Sequence, residues 1–146
     1  MNTKTLLGIL MTLVFGPVPK TFAADEPSTN ILFIFADDWG WGDLGCHGHP
    51  YVKTPNIDRL AKEGTDFHRF TTASGVCSPS RTAIMTGHFP ARYNINGHFA
   101  WVPSNAKRNM PDWLSPQTPL LTRFLKQAGY ATGHYGKWHL SNNMIP

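Results

Sequence analysis

Three groups of polar residues in this chain have types and spacings that are typical of a reactive site. They are Asp37 with Asp38, Cys77 with Arg81, and Lys137 with His139. The first group supplies two carboxylates, the second a thiol nucleophile near a guanidinium, and the third an ammonium group and a proton carrier. Together these residue types indicate chemistry on an anionic group, provided that the fold brings them to one place.

The adjacent carboxylates Asp37 and Asp38 are candidates for a metal site. Their like charges repel, so burying both is unfavourable unless a cation lies between them. Carboxylate oxygens are the ligands that a hard ion such as Ca²⁺ or Mg²⁺ prefers. A helix N-cap or a solvated turn explains the same pair equally well, and spacing alone leaves the two interpretations even.

Cys77 precedes a short predicted helix over residues 79–85, which Gly87 ends. The dipole of that helix favours an anion at its start, so a thiolate there is acidic and reactive. Arg81, one turn further on, returns to the same place and can bind an anion through two parallel hydrogen bonds. The second cysteine, Cys46, leaves a disulfide with Cys77 as an equally good alternative in an oxidising compartment.

Lys137 and His139 lie two residues apart, so in an extended segment both side chains point the same way. The lysine supplies a compact charge for an anion and the histidine can carry a proton near neutral pH. Taken alone, an exposed strand end is the better interpretation of this pair. The stretch at residues 46–49, Cys-His-Gly-His, resembles a soft-metal cluster but lacks a second pair at zinc-finger spacing, which disfavours zinc.

The elements that must position these groups alternate between strands and helices. Apolar or alternating runs predict strands at 30–36, 65–71 and 130–138, and apolar stripes predict helices at 55–63 and 118–127. This order predicts a parallel sheet with right-handed crossovers. Ligands bind beyond the carboxyl ends of such strands, which is where all three polar groups fall.

The segment 88–116 is rich in Pro, Asn, Gly and Trp, and we expect it to be a long loop that covers the site. It contains Trp101 and Trp113, and packing is the commoner role for an aromatic residue in a covering loop. The formal charge of +4 is too mild to indicate a nucleic-acid partner, and no basic stripe with interleaved aromatics is present.

Residues 1–23 have the pattern of a signal peptide, and residues 24–29 follow as a short linker. Lys4 provides the basic start, residues 6–15 are an apolar run too short to span a bilayer, and Ala23 ends a cleavage motif. A buried N-terminal helix is the less favoured alternative. We therefore expect a periplasmic or secreted protein without a membrane span.

Three motifs then identify a family resemblance. "CSPSRTAIMTG" at 77–87 resembles the sulfatase signature, "FADDWGWGDLG" at 35–45 resembles that family's N-terminal metal segment, and "GHYGKWHL" at 133–140 resembles its Gly-Lys-Trp-His-Leu segment. The resemblance covers roughly residues 30–140, with the motifs in the family's order. It implies an α/β fold in which residues 30–146 are the N-terminal part of an alkaline-phosphatase-like sandwich, with a mostly parallel sheet flanked by helices.

The resemblance implies that Cys77 is a precursor rather than a final nucleophile. In sulfatases a separate maturation enzyme oxidises this cysteine to formylglycine, so no thiol remains for a disulfide. One hydroxyl of the hydrated aldehyde attacks sulfur, and the second then expels sulfate, a step that a serine could not perform. Asp37 and Asp38, together with the modified Cys77, would ligate a divalent cation, Ca²⁺ in most members and Mg²⁺ as the alternative.

The same resemblance assigns roles to three further residues. Arg81 would steady the hydrate and the charge of the metal site, and Lys137 would bridge the hydrate and the sulfate. His139 would hydrogen-bond the hydrate and serve as the base in the elimination step.

The implied activity is that of an arylsulfatase-like sulfuric ester hydrolase cleaving sulfate monoesters, carried by sulfated carbohydrates or small molecules. Two alternatives stay open: a formylglycine-dependent phosphodiester or phosphonate hydrolase of the same fold, and a truncated non-catalytic chain. The second arises because the family's downstream Asp-Asn pair, leaving-group acid and second sulfate lysine have no counterpart in these 146 residues. His88 also replaces a frequent Arg, and Ser141 a Gly.

Overall fold

The computed structural model describes residues 29–142, so the signal peptide predicted for residues 1–23 lies outside the described part. Residues up to Phe35 and residues from Ala36 onward belong to separate units of the chain. The α-helices of the described part are α1 (Pro55–Glu63), α2 (Cys77–Thr86), α3 (Val102–Lys107) and α4 (Leu121–Gln127), and its 3₁₀ helices are Trp41–Asp43, Gly45–His47 and Pro90–Tyr93. Between residues 29 and 142, no helix is both long and apolar enough to cross a bilayer.

Helix α1 has the bounds that its sequence predicts. Pro55 occupies the first turn, where its missing N–H is not needed. The Thr54 hydroxyl donates to Asp58 Oδ1 at 2.6 Å and accepts from the Gly45 N–H at 2.8 Å. The Cys46 N–H donates to the same Asp58 oxygen at 2.8 Å. Thr54 and Asp58 thus fix the start of α1 to the preceding 3₁₀ turn.

Helix α2 begins at Cys77, two residues earlier than the start predicted at residue 79. The proline that suggested the later start, Pro79, lies in the first turn, where no backbone N–H has a partner within the helix, so it interrupts nothing. The helix ends as predicted at Gly87, whose φ of 69° lies in the left-handed region and whose N–H donates to Ala83 O at 2.8 Å. Cys77 is therefore part of the first helical turn.

The left-handed conformation of Gly87 predicts a measurable stability cost for Gly87→Ala. A Cβ there meets no atom within 4 Å, so the cost is backbone strain alone, about 1 kcal/mol in the free energy of unfolding. Gly75→Ala is the matched control, because a Cβ at Gly75 also meets nothing within 4 Å and its φ is not in the left-handed region. Urea unfolding of both variants measures the difference, and equal stabilities would contradict the prediction.

Helix α4 begins at Leu121 rather than at residue 118, so its predicted start was wrong. Thr118 precedes Pro119, and a residue before proline is disfavoured from the helical region. Leu120 is extended, with φ of −125° and ψ of 140°. The apolar stripe predicted for this helix remains accessible, since Leu121 and Phe124 are 43% and 57% exposed.

The three predicted strands at 30–36, 65–71 and 130–138 are not formed, which corrects the expectation of a sheet within the described residues. The β-pairing found between residues 29 and 142 is one isolated antiparallel bridge, Trp113 with Ser141. A strand exists only when a neighbour pairs its backbone groups, and the described residues place no strand beside these segments. The apolar run at residues 31–34 accordingly stays 60–85% exposed.

The segment 88–116 is more ordered than the covering loop expected from its composition. It contains the 3₁₀ helix Pro90–Tyr93 and helix α3. It also supplies a buried hydrophobic cluster of Ile95, Phe99 and Met110, against which Tyr93 and Leu114 pack. A hydrogen bond from the Phe99 N–H to Ser78 Oγ ties the segment to the N-terminal part of α2.

Candidate active site

The centre of the candidate site is Asp37, which lies between two cations. Arg81 Nη2 donates to Asp37 Oδ1 at 3.0 Å, and Lys137 Nζ donates to Asp37 Oδ2 at 2.6 Å. Arg81 Nη1 also donates to the carbonyl oxygen of Lys137. The side chain of Arg81 is 10% exposed, whereas those of Asp37 and Lys137 are 37% and 40% exposed. One partly accessible cluster thus joins three residues that are far apart in the chain.

The charges of this cluster are fixed at neutral pH. The Lys137 ammonium first, and the Arg81 guanidinium second, hold the pKa of Asp37 below its ordinary value of 3.8. The hydrogen bond to Asp37 raises the pKa of Lys137 above 10.5, with a smaller electrostatic contribution from Cys77 in the same direction. Two cations therefore face one carboxylate, and the cluster keeps an excess positive charge that suits an anion.

Cys77 is the first residue of α2 and is half-buried. Both Cys77 and Cys46 are free thiols, so the disulfide that their number allowed is not formed. Partial desolvation raises the pKa of Cys46, and the neighbouring Asp58 raises it further. The thiol is therefore a poor nucleophile near neutral pH. Cys77 lies instead at a helix start, one turn before Arg81 of the charged cluster.

His139 donates from Nε2 to the carbonyl oxygen of Phe99 at 3.2 Å. A carbonyl only accepts, so Nε2 carries the proton and Nδ1 is the acceptor when the ring is neutral. Nδ1 is buried and has no hydrogen-bond partner among residues 29–142. The backbone of His139 is in the left-handed region, with φ of 49°. The ring is thus held by one nitrogen and keeps the other available for a proton.

Asp38 follows Asp37 in a bend and also has a positive φ, 54°. The two carboxylates are partly or fully accessible and have the oxygen chemistry that suits a hard divalent cation. Such an ion takes 6–8 oxygens, more than these two residues supply. Within residues 29–142, no group of three His, Cys, Asp or Glu side chains is arranged to hold a metal. The two carboxylates are of the chemical kind that a calcium-type ion binds, and they are too few to complete its coordination.

The Cys-His-Gly-His stretch is engaged in other contacts. His47 stacks on Trp41 with ring centroids 3.7 Å apart, and its Nε2 lies 3.3 Å from Asp66 Oδ2. His49 Nδ1 accepts hydrogen bonds from two backbone N–H groups, at 3.2 and 2.8 Å. These contacts give His47 and His49 structural partners within the fold.

The two departures from the family motifs also have local structural partners. His88 Nδ1 lies 2.6 Å from the Tyr93 hydroxyl, which ties the end of α2 to the following 3₁₀ helix. Ser141 forms the isolated backbone bridge with Trp113. Both His88 and Ser141 therefore have a partner within the segment 88–116.

Sequence reasoning missed the buried polar residues that support the site. Ser78 and Asn105 are both fully buried, and both hydrogen-bond backbone groups in the stretch Phe99-Ala100. Nothing in the sequence marks Asn105, because an asparagine in a Pro- and Gly-rich segment is usually a turn residue. Ser78 lies inside the motif at residues 77–87, where its position next to Cys77 was the sole sequence feature that could indicate a role in the site.

Comparisons of this chain with known proteins agree on one family. Residues 29–144 match the family described as Sulfatase. The chain is 44% identical over 139 residues to N-acetylgalactosamine-6-sulfatase of Sus scrofa, covering 92% of this chain and 26% of that protein. It is 42% identical over 128 residues to arylsulfatase D of Homo sapiens, covering 86% of this chain and 21% of that protein. The chain therefore belongs to the sulfatase family.

A solved structure agrees with this assignment. A sulfatase chain from the glycosaminoglycan metabolism of Bacteroides thetaiotaomicron is 40% identical and superposes with a TM-score of 0.61, covering 74% of this chain and 21% of that chain. At this identity the likeness supports the alkaline-phosphatase-like fold of the family, even though the described residues form no sheet. The chain spans about a quarter of the length of the relatives it matches.

Proposed function

We propose that the full-length protein carrying this chain hydrolyses sulfate monoesters. The observation that carries the proposal is the Asp37–Arg81–Lys137 cluster, which lies beside the first turn of α2 and keeps an excess positive charge. A sulfate monoester is an anion whose oxygens match the donors of a guanidinium and an ammonium. The three residues also belong to the three motifs of the sulfatase family.

In this proposal Cys77, converted to formylglycine by a maturation enzyme, provides the nucleophile. Its place in the first turn of α2 exposes it to the positive end of the helix dipole, which favours negative charge on the reacting oxygen. Asp37, Asp38 and the modified residue 77 would be part of the site for Ca²⁺, or alternatively Mg²⁺. That ion would lower the pKa of the nucleophilic hydroxyl and screen the sulfate oxygens.

The cationic residues position the substrate in this proposal. Arg81 is held by its contacts with Asp37 and the Lys137 carbonyl, so its guanidinium steadies charge without moving. Lys137 is more accessible and donates one of its three N–H groups to Asp37, which leaves the others for sulfate. His139 holds its proton on Nε2 and accepts one at Nδ1, which is the role of a base.

The substrate class that we propose is sulfated carbohydrate. The relatives include N-acetylgalactosamine-6-sulfatase and also steryl-sulfatase of Mus musculus, 39% identical to this chain over 133 residues, so small sulfated molecules are the alternative. Trp101 and Trp113 in the segment 88–116 are 65% and 46% exposed, which leaves ring surface for a sugar.

We also propose that residues 30–146 are the N-terminal part of a longer sulfatase domain, following a signal peptide at 1–23 and a linker at 24–29. The exposed apolar run at residues 31–34 supports this, because such a run is typical of a strand buried on both faces. The mature protein would then act in the periplasm or outside the cell.

Turnover of an aryl sulfate and an aryl phosphodiester by the full-length protein, expressed with a maturation enzyme, tests the proposal. We expect the sulfate to be the better substrate by at least about tenfold in kcat/KM, and peptide mass spectrometry to find an aldehyde at residue 77. A preference for the phosphodiester would favour a phosphodiester or phosphonate hydrolase of the same fold. An unmodified thiol with no turnover of either ester would favour a non-catalytic chain.

A further inference from the structure

The peptide groups around Phe99 connect two parts of the candidate site that are distant in the chain, the start of α2 and His139. The Phe99 N–H donates to Ser78 Oγ at 3.0 Å, one residue after Cys77. The Phe99 carbonyl accepts from His139 Nε2 at 3.2 Å. Phe99 is 4% exposed and Ser78 is fully buried, so these bonds are sheltered from water. The position of the Phe99 backbone therefore determines where the His139 ring lies relative to the start of α2.

Asn105 holds the adjoining residue, Ala100, from both sides of its backbone. Its Oδ1 accepts from the Ala100 N–H and its Nδ2 donates to the Ala100 carbonyl, both at 2.9 Å. The remaining capacity of the amide is used by Asp112 Oδ1 and Arg108 Nη2, each at 2.8 Å. All four hydrogen bonds that an amide can make are formed, and they fix which atom is oxygen. The Asn105 side chain is fully buried.

The same network reaches the segment that follows His139. Asp112, which accepts from Asn105 through its side chain, also accepts the Asn142 N–H through its carbonyl at 2.9 Å. Next to it, the Leu114 N–H donates to the Leu140 carbonyl at 2.8 Å. Asn105 is therefore linked to the acceptor of the His139 ring on one side and to the backbone beyond His139 on the other.

We propose that Asn105 is a positioning residue, which holds His139 with its proton on Nε2 and its Nδ1 free to accept a proton. Without the Asn105 amide, the Ala100 peptide can turn, the Phe99 carbonyl loses its place opposite Nε2, and the preference for this tautomer is lost. The consequence for catalysis rests on the proposed function, whereas the consequence for the tautomer does not. The role is indirect, since Asn105 acts through Phe99 and Ala100.

Two variants test the proposal in the full-length protein. Asn105→Ala removes all four hydrogen bonds, and Asn105→Asp keeps the shape but removes the donors to Ala100 and Asp112. The ¹⁵N shifts of the imidazole nitrogens, with the His139 signal assigned by its absence from His139→Gln, report the tautomer directly. Hydrolysis of an aryl sulfate provides the second readout. We expect mixed tautomers at His139 and a kcat lower by about 10- to 100-fold, with KM little changed.

Two controls separate positioning from general destabilisation. Ile95→Val loosens the hydrophobic cluster next to Phe99 while keeping every hydrogen bond of Asn105. Asn56→Ala makes the same chemical change at an exposed residue of α1. Both controls should keep the Nε2-protonated tautomer and nearly full kcat.

The outcomes distinguish this proposal from the proposed function. Mixed tautomers in the Asn105 variants support the positioning role, even if the parent protein hydrolyses no sulfate ester, in which case the proposed function alone fails. An unchanged tautomer in a folded Asn105→Ala or Asn105→Asp protein overturns the positioning role, whether or not activity falls. The positioning role is also overturned if Ile95→Val shows mixed tautomers of His139 to the same extent as the Asn105 variants.

Discussion

Cys77→Ser is expected to abolish steady-state hydrolysis of an aryl sulfate, with a loss on the order of 10⁴- to 10⁶-fold, the scale seen when a covalent nucleophile is removed. A serine hydroxyl at the first position of α2 keeps the helix dipole and the Lys137 ammonium nearby, so it can still accept sulfate. It has a single oxygen, and that oxygen becomes esterified. Release then requires water to attack sulfur, because residue 77 has no second hydroxyl to expel the group.

The measurement is a single-turnover assay with intact-protein mass spectrometry. We expect the Cys77→Ser protein to release at most one equivalent of phenol and to carry a stable sulfate on residue 77. Cys46→Ser makes the same change at the other free cysteine and should leave kcat unchanged. Normal turnover by Cys77→Ser would show that the formylglycine mechanism is wrong for this protein.

The helices could be predicted from sequence because their signals are local. Helix α1 begins at Pro55, and Gly64 ends it by donating its N–H to Leu60 O at 2.9 Å. Helix α2 ends at Gly87 for the same kind of reason. The errors at the starts of α2 and α4 also have local causes, since a proline is tolerated within a first turn but restricts the residue before it.

The sheet could not be obtained in the same way. The apolar run at 30–36 predicts burial, but periodicity does not specify which segment pairs with it or where in the chain that partner lies. The described residues contain no such partner for it. Strand formation is a property of at least two segments, whereas helix formation is largely a property of one.

The candidate site could be predicted from the sequence in part, less fully than the helices and better than the sheet. The sequence placed the groups of Asp37, Arg81 and Lys137 at one edge of a sheet, and the structure brings the three together without that sheet. Their hydrogen bonds join residues that are 44 and 100 positions apart in the chain. Asn105 could not be recognised, because its importance comes from burial and from four hydrogen bonds to three residues, which form in the folded chain. The residue types indicated the chemistry of the site, and the contacts in the folded chain showed which residues hold the site in place.

Asp37→Asn is expected to have the second largest effect, a loss of about 10²- to 10³-fold in kcat/KM for an aryl sulfate. Asp37 is the shared acceptor of Arg81 Nη2 and Lys137 Nζ, so an amide in its place removes both ion pairs. The cations then repel each other, and neither is held where a sulfate group would meet it. In the proposed function the change also removes a carboxylate ligand of the divalent ion.

The same substitution is expected to flatten the pH dependence of stability. Asp37 has a lowered pKa in the folded chain, so its contribution is present above its unfolded value, near 3.8, and is lost as pH falls through the folded value. Lys137 has a raised pKa, so its contribution is present below 10.5 and is lost as pH rises beyond that value. The ion pair therefore stabilises the fold from about pH 4 to about pH 10.5, and Asp37→Asn removes this contribution at both ends.

Urea unfolding across this pH range, with Glu63→Gln as the control, measures the effect. Glu63 is an exposed carboxylate at the end of α1, so its removal should change neither kcat/KM nor the pH profile. If Asp37→Asn and Glu63→Gln gave the same pH profile and the same activity, Asp37 would be an ordinary surface carboxylate. A flatter pH profile and a lower kcat/KM in Asp37→Asn alone would show that the carboxylate between Arg81 and Lys137 contributes to both stability and catalysis. One residue would then set the position of both cations.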